Sequence, residues 1–145
     1  SKKHQNSLYV NIEDVQGLDV KVTSTERTLV DVMDRPLLGG GWEEIWRSLD
    51  TINRLKIDNI IHYALLLDNA TTIAKVGYYL ETRKKELKVS NNQLKQLQNH
   101  RPKSIHYLDK SQKSKSQYNS TWNLMIPERI IMKTWEEQLN GEYKS

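Results

Sequence analysis

The chain has 145 residues, which suggests one domain able to bury about two-thirds of its unfolded surface. It has no cysteine, which excludes disulfides, thiolate zinc sites and cysteine nucleophiles and fits a reducing cytoplasm. The net charge of +4 is unevenly placed: ten cations face three acids from Glu81 to Lys115, while the flanking segments are slightly acidic. A local positive field of this kind attracts polyanions.

Leu8, Val10 and Ile12 alternate with polar residues, as do Leu18, Val20 and Val22. Period two on both sides of Gln16-Gly17 predicts an N-terminal β-hairpin. Thr23 and Glu26 have capping-box spacing, with Ser24 as the alternative cap. The helix they open is expected to run to about Arg35, with Leu29, Val32 and Met33 inward, and to stop at Pro36. After Gly39-Gly40-Gly41, Trp42, Ile45, Trp46, Leu49 and Ile52 follow helical spacing, and so do Ile57, Ile60, Ile61, Ala64 and Leu65. Asp68-Asn69 can cap a helix from about Ala70 to Leu87. Gly77 within it costs roughly 1 kcal/mol against alanine and implies close approach of another backbone. Ser90 caps a short helix carrying Leu94 and Leu97.

The last third changes character. Ile105 and Tyr107 alternate, as do Trp122, Leu124 and Ile126, which predicts two strands. Between them, Asp109 to Thr121 is Lys, Ser, Gln and Asn and is expected to be a mobile loop. A terminal helix from about Glu128 to Leu139 carries Ile131, Met132, Trp135 and Leu139. The expectation is a single α+β domain over residues 1–145, with an N-terminal hairpin, a central helical segment, further C-terminal strands and a terminal helix.

The glycine triplet does not read as a phosphate loop: Trp42 follows Gly41, where the Walker pattern needs Lys-Ser/Thr. The nearby carboxylates Asp31, Asp34, Glu43 and Glu44 could in principle gather around a divalent metal. A metal-dependent, nuclease-like enzyme built on Asp31, Asp34 and Glu43 is therefore one alternative. Three apart on a helix is also the spacing of a solvated face, Glu43 and Glu44 point about 100° apart, and Arg27 can pair with Asp31 at i+4. The four histidines are scattered, and no Gly-x-Ser-x-Gly elbow is present. No catalytic residue, metal or cofactor is assigned. The basic run Arg83, Lys84, Lys85, Lys88, Lys95, Arg101 and Lys103 is the candidate phosphate-contacting surface, with Tyr78, Tyr79, Tyr107 and Tyr118 interleaved and Lys110, Lys113 and Lys115 beyond. Nothing in it reads base edges. A protein-interaction module using Tyr78, Tyr79 and Trp135 is a further alternative.

The run Glu26-Arg27-Thr28-Leu29-Val30-Asp31, continuing through Asp34-Arg35-Pro36 to Gly39-Gly40 and Glu43-Glu44, resembles the C-terminal domain of AbiEi-type antitoxins of type IV toxin–antitoxin systems. Gly77-Tyr78-Tyr79-Leu80-Glu81 and Trp122-Asn123-Leu124-Met125-Ile126-Pro127 are weaker matches in the same order. The resemblance implies a cytoplasmic, non-enzymatic antitoxin and transcriptional repressor linked to phage defence. Its partners would be operator DNA, read by an N-terminal winged helix-turn-helix, and a nucleotidyltransferase-like toxin opposed without a tight complex. No membrane partner is implied, and a homodimer stays open. Glu26, Arg27, Asp31, Gly39 and Gly40 would be scaffold, with Arg27 and Asp31 locking hairpin, first helix and glycine turn together. The chain departs from the pattern in having no winged helix before Ser1 and no glycine in the loop before Trp122. With the missing initiator Met, the first departure is read as a DNA-reading half lying outside this chain.

Overall fold

The computed structural model describes residues 10–15 and 17–132, and helices dominate that span. Helix α1 (Thr25–Asp34) is capped by Ser24, whose Oγ accepts from the Arg27 N–H at 3.2 Å; the alternative cap is therefore the one used. A short 3-10 turn, Pro36–Gly39, leads to α2 (Trp42–Leu49). Gly40 and Gly41 have φ of 85° and 100°, backbone that a side chain resists. Helix α3 (Ile57–Leu67) ends on left-handed Asp68, and Asn69 caps α4 (Ala70–Thr82) by accepting from the Thr72 N–H at 3.1 Å. The short α5 (Lys84–Leu87) and α6 (Asn91–Gln98) follow, the latter opened by a Ser90/Gln93 capping box. The chain is helical again over 128–132; Trp135 and Leu139 lie outside the described residues.

The predicted single helix from Ala70 to Leu87 is broken. Arg83 leaves helical geometry (φ −111°, ψ 22°), and its guanidinium turns inward onto the carbonyls of Leu49 and Ile52, each at 2.7 Å.

Helix α1 packs on α3 and α4, and α6 packs on the same pair. Their apolar faces supply most of a core that includes Leu29, Val30, Met33, Ile60, Ile73 and Leu80. Trp46 sits between Tyr78 and Tyr79, with ring centroids 5.9 and 5.8 Å away. Tyr79 donates from its hydroxyl to the Leu49 carbonyl at 2.8 Å, closing the C-terminus of α2.

The expected α+β class is corrected: the body is mostly helical, with only a small three-stranded mixed sheet near its C-terminal end. An N-terminal hairpin layer is not part of that body. Among the described residues, strands β1 (Val10–Val15) and β2 (Leu18–Thr23) pair only with each other, as a two-stranded ladder separate from the C-terminal sheet. The physical reason is size, since a two-stranded ladder is marginal unless it joins a larger sheet or packs on helices.

The C-terminal sheet has the order β3-β5-β4. Strand β3 (His106–Tyr107) runs parallel to β5 (Leu124–Pro127), and β4 (Ser116–Asn119) runs antiparallel to it. The segment expected as a loop thus carries an edge strand, preceded by a 3-10 helix at Lys110–Lys115. Asn123 turns the chain into β5 at φ 53°, the left-handed position that a short amide side chain tolerates in place of glycine. Its amide donates to the Pro102 carbonyl at 2.7 Å and its Oδ1 accepts from the Tyr118 hydroxyl at 2.6 Å.

Trp122 joins sheet to helices. It is fully buried, and the six-membered part of its ring lies against Gly77 of α4. The close approach expected at Gly77 exists, but a side chain makes it rather than a backbone. The indole N–H has no partner among the described residues; that costs about 1–3 kcal/mol, which burial of the large ring offsets.

Burial also acts on the core tyrosines. It is the largest cause in pushing the hydroxyls of Tyr63, Tyr78 and Tyr79 up to about 12. The Asp31 carboxylate adds to it at Tyr63, and Glu81 at Tyr78. A folded value above the unfolded value of about 10 gives stability that is complete below pH ~10 and lost as pH rises through the folded value. Urea unfolding is therefore expected to give a stability that holds to about pH 10 and then declines towards pH ~12. Replacing Tyr78 with Phe should shallow that decline, which tyrosinate absorbance would follow independently.

Candidate functional site

The motif residues of α1 point into the helical body. Arg27 Nε lies 3.4 Å from Asp31 Oδ2, and its guanidinium stacks 5.2 Å above the Tyr63 ring. Tyr63 in turn donates to Asp31 Oδ1 at 2.8 Å, and Thr72 donates to Asp34 Oδ1 at 2.9 Å. One helix is thus pinned to α3 through Tyr63 and to α4 through Thr72. Gly39 has a separate reason: a Cβ there would lie 2.6 Å from Ile45 Cγ1. Glu26 does not form the expected box, because Ser24 is the cap.

The four carboxylates of the glycine-turn region each have a partner. Asp31 and Asp34 are bonded to Tyr63 and Thr72, Glu43 pairs with Arg129, and Glu44 lies 3.6 Å from Arg47. Among the described residues, no three histidines or acids gather as metal ligands would. Of the three aromatic residues singled out for protein contact, Tyr78 and Tyr79 are in the core, and Trp135 lies outside the described residues.

The basic run is divided by the fold. Arg83 donates to Leu49 and Ile52 carbonyls and to the Tyr79 hydroxyl, so it serves as a cross-link. Arg101 donates to the Thr121 carbonyl at 2.7 Å, and Lys84 is held by Asn91 Oδ1. Lys85, Lys88, Lys95 and Lys103 are exposed. Lys88 lines a cleft of about 560 Å³ together with Arg54, Lys56, Glu26 and Glu86, beside Thr25 at the start of α1. Arg54 and Lys56 escaped the sequence reading because they stand in an acidic-to-neutral half of the chain. Their signal was local: two cations within the non-helical run 52–56, just before an uncapped helix.

A second, larger cleft of about 1040 Å³ opens where the helical body meets the C-terminal sheet. Its walls are the glycine turn with the start of α2, the first turns of α4, and the segment from β3 into the 3-10 helix. Lys75 stands on the α4 wall with its ammonium 5.2 Å above the Trp42 ring. Burial pulls its pKa down from the ordinary lysine value; Asp34 and Asp109 oppose that shift and Lys110 adds to it. This lysine was legible as an oddity, the single charge between Ala70 and Leu80.

The fold and clefts thus define a mostly helical domain with a small mixed sheet, one cation-rich opening and one larger cleft where helices and sheet meet. No family model, curated protein or solved structure matches the chain. Among the described residues no helix is long and apolar enough to cross a membrane.

Proposed function

We propose that the chain is a non-enzymatic regulator domain of the AbiEi antitoxin type that touches DNA backbone through the smaller, cation-rich cleft. Autorepression beside a winged helix-turn-helix, and opposition to a nucleotidyltransferase-like toxin without a tight complex, are parts of the same proposal and rest on the motif resemblance. The observation that carries the DNA contact is the meeting of Arg54, Lys56 and Lys88 at one opening, with exposed Lys85 on the adjoining short helix. Three cations there stand against two acids, Glu26 and Glu86, so the surplus is positive. Flexible ammonium groups around an opening suit phosphates at variable spacing and confer no base readout.

The test is duplex DNA binding by this chain, measured by fluorescence anisotropy across a salt series. Reversing Arg54, Lys56, Lys85 and Lys88 to Glu should make log affinity against log salt shallower by about three to four, at ~0.9 per phosphate contact. The pair Lys95→Glu and Lys103→Glu, away from the opening, should change the slope less. An unchanged slope in the fourfold variant would remove the DNA role from this cleft.

A further inference from the structure

Tyr78 and Tyr79 are buried in the core, but the other two tyrosines of the basic region, Tyr107 and Tyr118, lie on the C-terminal sheet, and strand register brings them together. Tyr107 of β3 stands opposite Met125 of β5, and Met125 stands opposite Tyr118 of β4. Opposed residues share a face of the sheet. The three therefore form one row, with about 10 Å from tyrosine to tyrosine at ~4.8 Å per strand. Leu124 and Ile126, on either side of Met125, are fully buried. Side chains alternate along a strand, so the row lies on the face turned away from the core. Tyr118 is 50 % exposed, and its hydroxyl bond to Asn123 Oδ1 anchors the ring at the start of β5. The Lys113 ammonium lies 5.4 Å from the centre of the Tyr107 ring, which also borders the larger cleft.

The charge around the row narrows the partner. Residues 101–127 hold five cations, Arg101, Lys103, Lys110, Lys113 and Lys115, against one acid, Asp109. Arg101 is bonded to the Thr121 carbonyl, and Asp109 accepts from the Ser111 N–H and hydroxyl. That leaves four exposed lysines in the segments that lead into β3 and join it to β4. An acidic protein would use the charge and leave the rings without a role. A chain of unpaired bases uses both, since bases stack on aromatic faces while phosphates meet the cations. A duplex does not, because its bases are already stacked on one another.

We propose that the outward face of the C-terminal sheet is a stacking platform for single-stranded nucleic acid. Tyr118 and Tyr107 take bases, Met125 fills the space between them, and Lys113 meets a phosphate. The platform shares no residue with the smaller cleft and does not rest on the duplex contact assigned there. Stacking is tolerant of sequence because every base has a flat face.

The experiment is fluorescence anisotropy of this chain with labelled oligothymidylate and oligouridylate, each about ten nucleotides long. Saturable binding is expected. Tyr118→Leu, which keeps apolar bulk and removes the ring, should weaken it about tenfold, while Tyr118→Phe retains most of it. Lys113→Met should make the salt slope shallower by about 0.7, one phosphate contact on a single strand. Tyr118→Leu should leave duplex binding unchanged, so failure here is distinguishable from failure of the duplex contact. The tighter of the two strands identifies the ligand as RNA or DNA, and equal affinities identify unpaired bases on either sugar. Circular dichroism melting checks that each variant is folded. No saturable binding of either strand, or a folded Tyr118→Leu that binds as the parent does, would overturn the proposal. Inorganic polyphosphate binding as tightly as the oligonucleotides would overturn it too, since charge alone would then suffice.

Discussion

Gly77→Ala is expected to destabilise the protein by about 2–4 kcal/mol, although alanine is the better helix former. An added Cβ would lie 2.8 Å from Trp122 Cε3 and closer still to Cζ3 and Cη2. The ring cannot swing aside, because Trp122 is fully buried between α4 and the sheet. Either the helix shifts, an overpacking cost of typically 1–3 kcal/mol, or the indole is driven out, whose limit is the ~3–5 kcal/mol of losing a buried tryptophan. The propensity gain of roughly 1 kcal/mol only partly offsets this. Denaturant unfolding measures the net value. The double variant Gly77→Ala with Trp122→Leu should lose less than the sum of the two single losses, with a coupling of about 0.5–3 kcal/mol for residues in contact. A stabilised Gly77→Ala protein would mean that the indole does not rest on this helix.

That pair also shows what the sequence could reveal. A glycine amid Ile73, Ala74 and Leu80 signals that something approaches the helix closely, since the residue is otherwise unfavourable there. Which group approaches is set by tertiary contact across some 45 positions, and spacing is silent about it. The helices were legible because their apolar residues recur at three and four, and Ser24, Asn69 and Ser90 hold the caps. Strand β4 was hidden, because Ser116-Gln117-Tyr118-Asn119 is an edge strand with two exposed central residues and no apolar alternation. The hairpin misled the class assignment in the opposite direction: alternation gives a ladder but says nothing about whether the ladder packs on anything. The candidate site was half visible. Counting charge located a basic segment, yet counting cannot say that Arg83 points inward or that Arg54 and Lys56 stand beside Lys88.

Arg83→Met and Lys85→Met, two positions apart in the basic run, are expected to behave oppositely. The Arg83 guanidinium bonds two backbone carbonyls and the Tyr79 hydroxyl, tying α4 to the end of α2 and to the segment after it. Methionine keeps much of the aliphatic stem and removes those bonds. The Leu49 carbonyl keeps the Tyr79 hydroxyl as a donor, whereas the Ile52 carbonyl loses the Arg83 bond. Hydrogen bonds from a charged donor contribute about 1.5–3 kcal/mol, so a loss of about 2 kcal/mol and a melting point lower by roughly 4–8 °C are expected. The salt dependence of DNA binding should hold. Lys85 is exposed, so Lys85→Met should change stability by no more than about 0.5 kcal/mol while making the salt slope shallower by about 0.9. The two readouts separate scaffold from interface within a single run of like charges. If instead Arg83→Met leaves stability intact and shallows the slope, the guanidinium faces solvent, the seam between α2 and α4 is held by apolar contact alone, and the basic segment acts as one continuous surface.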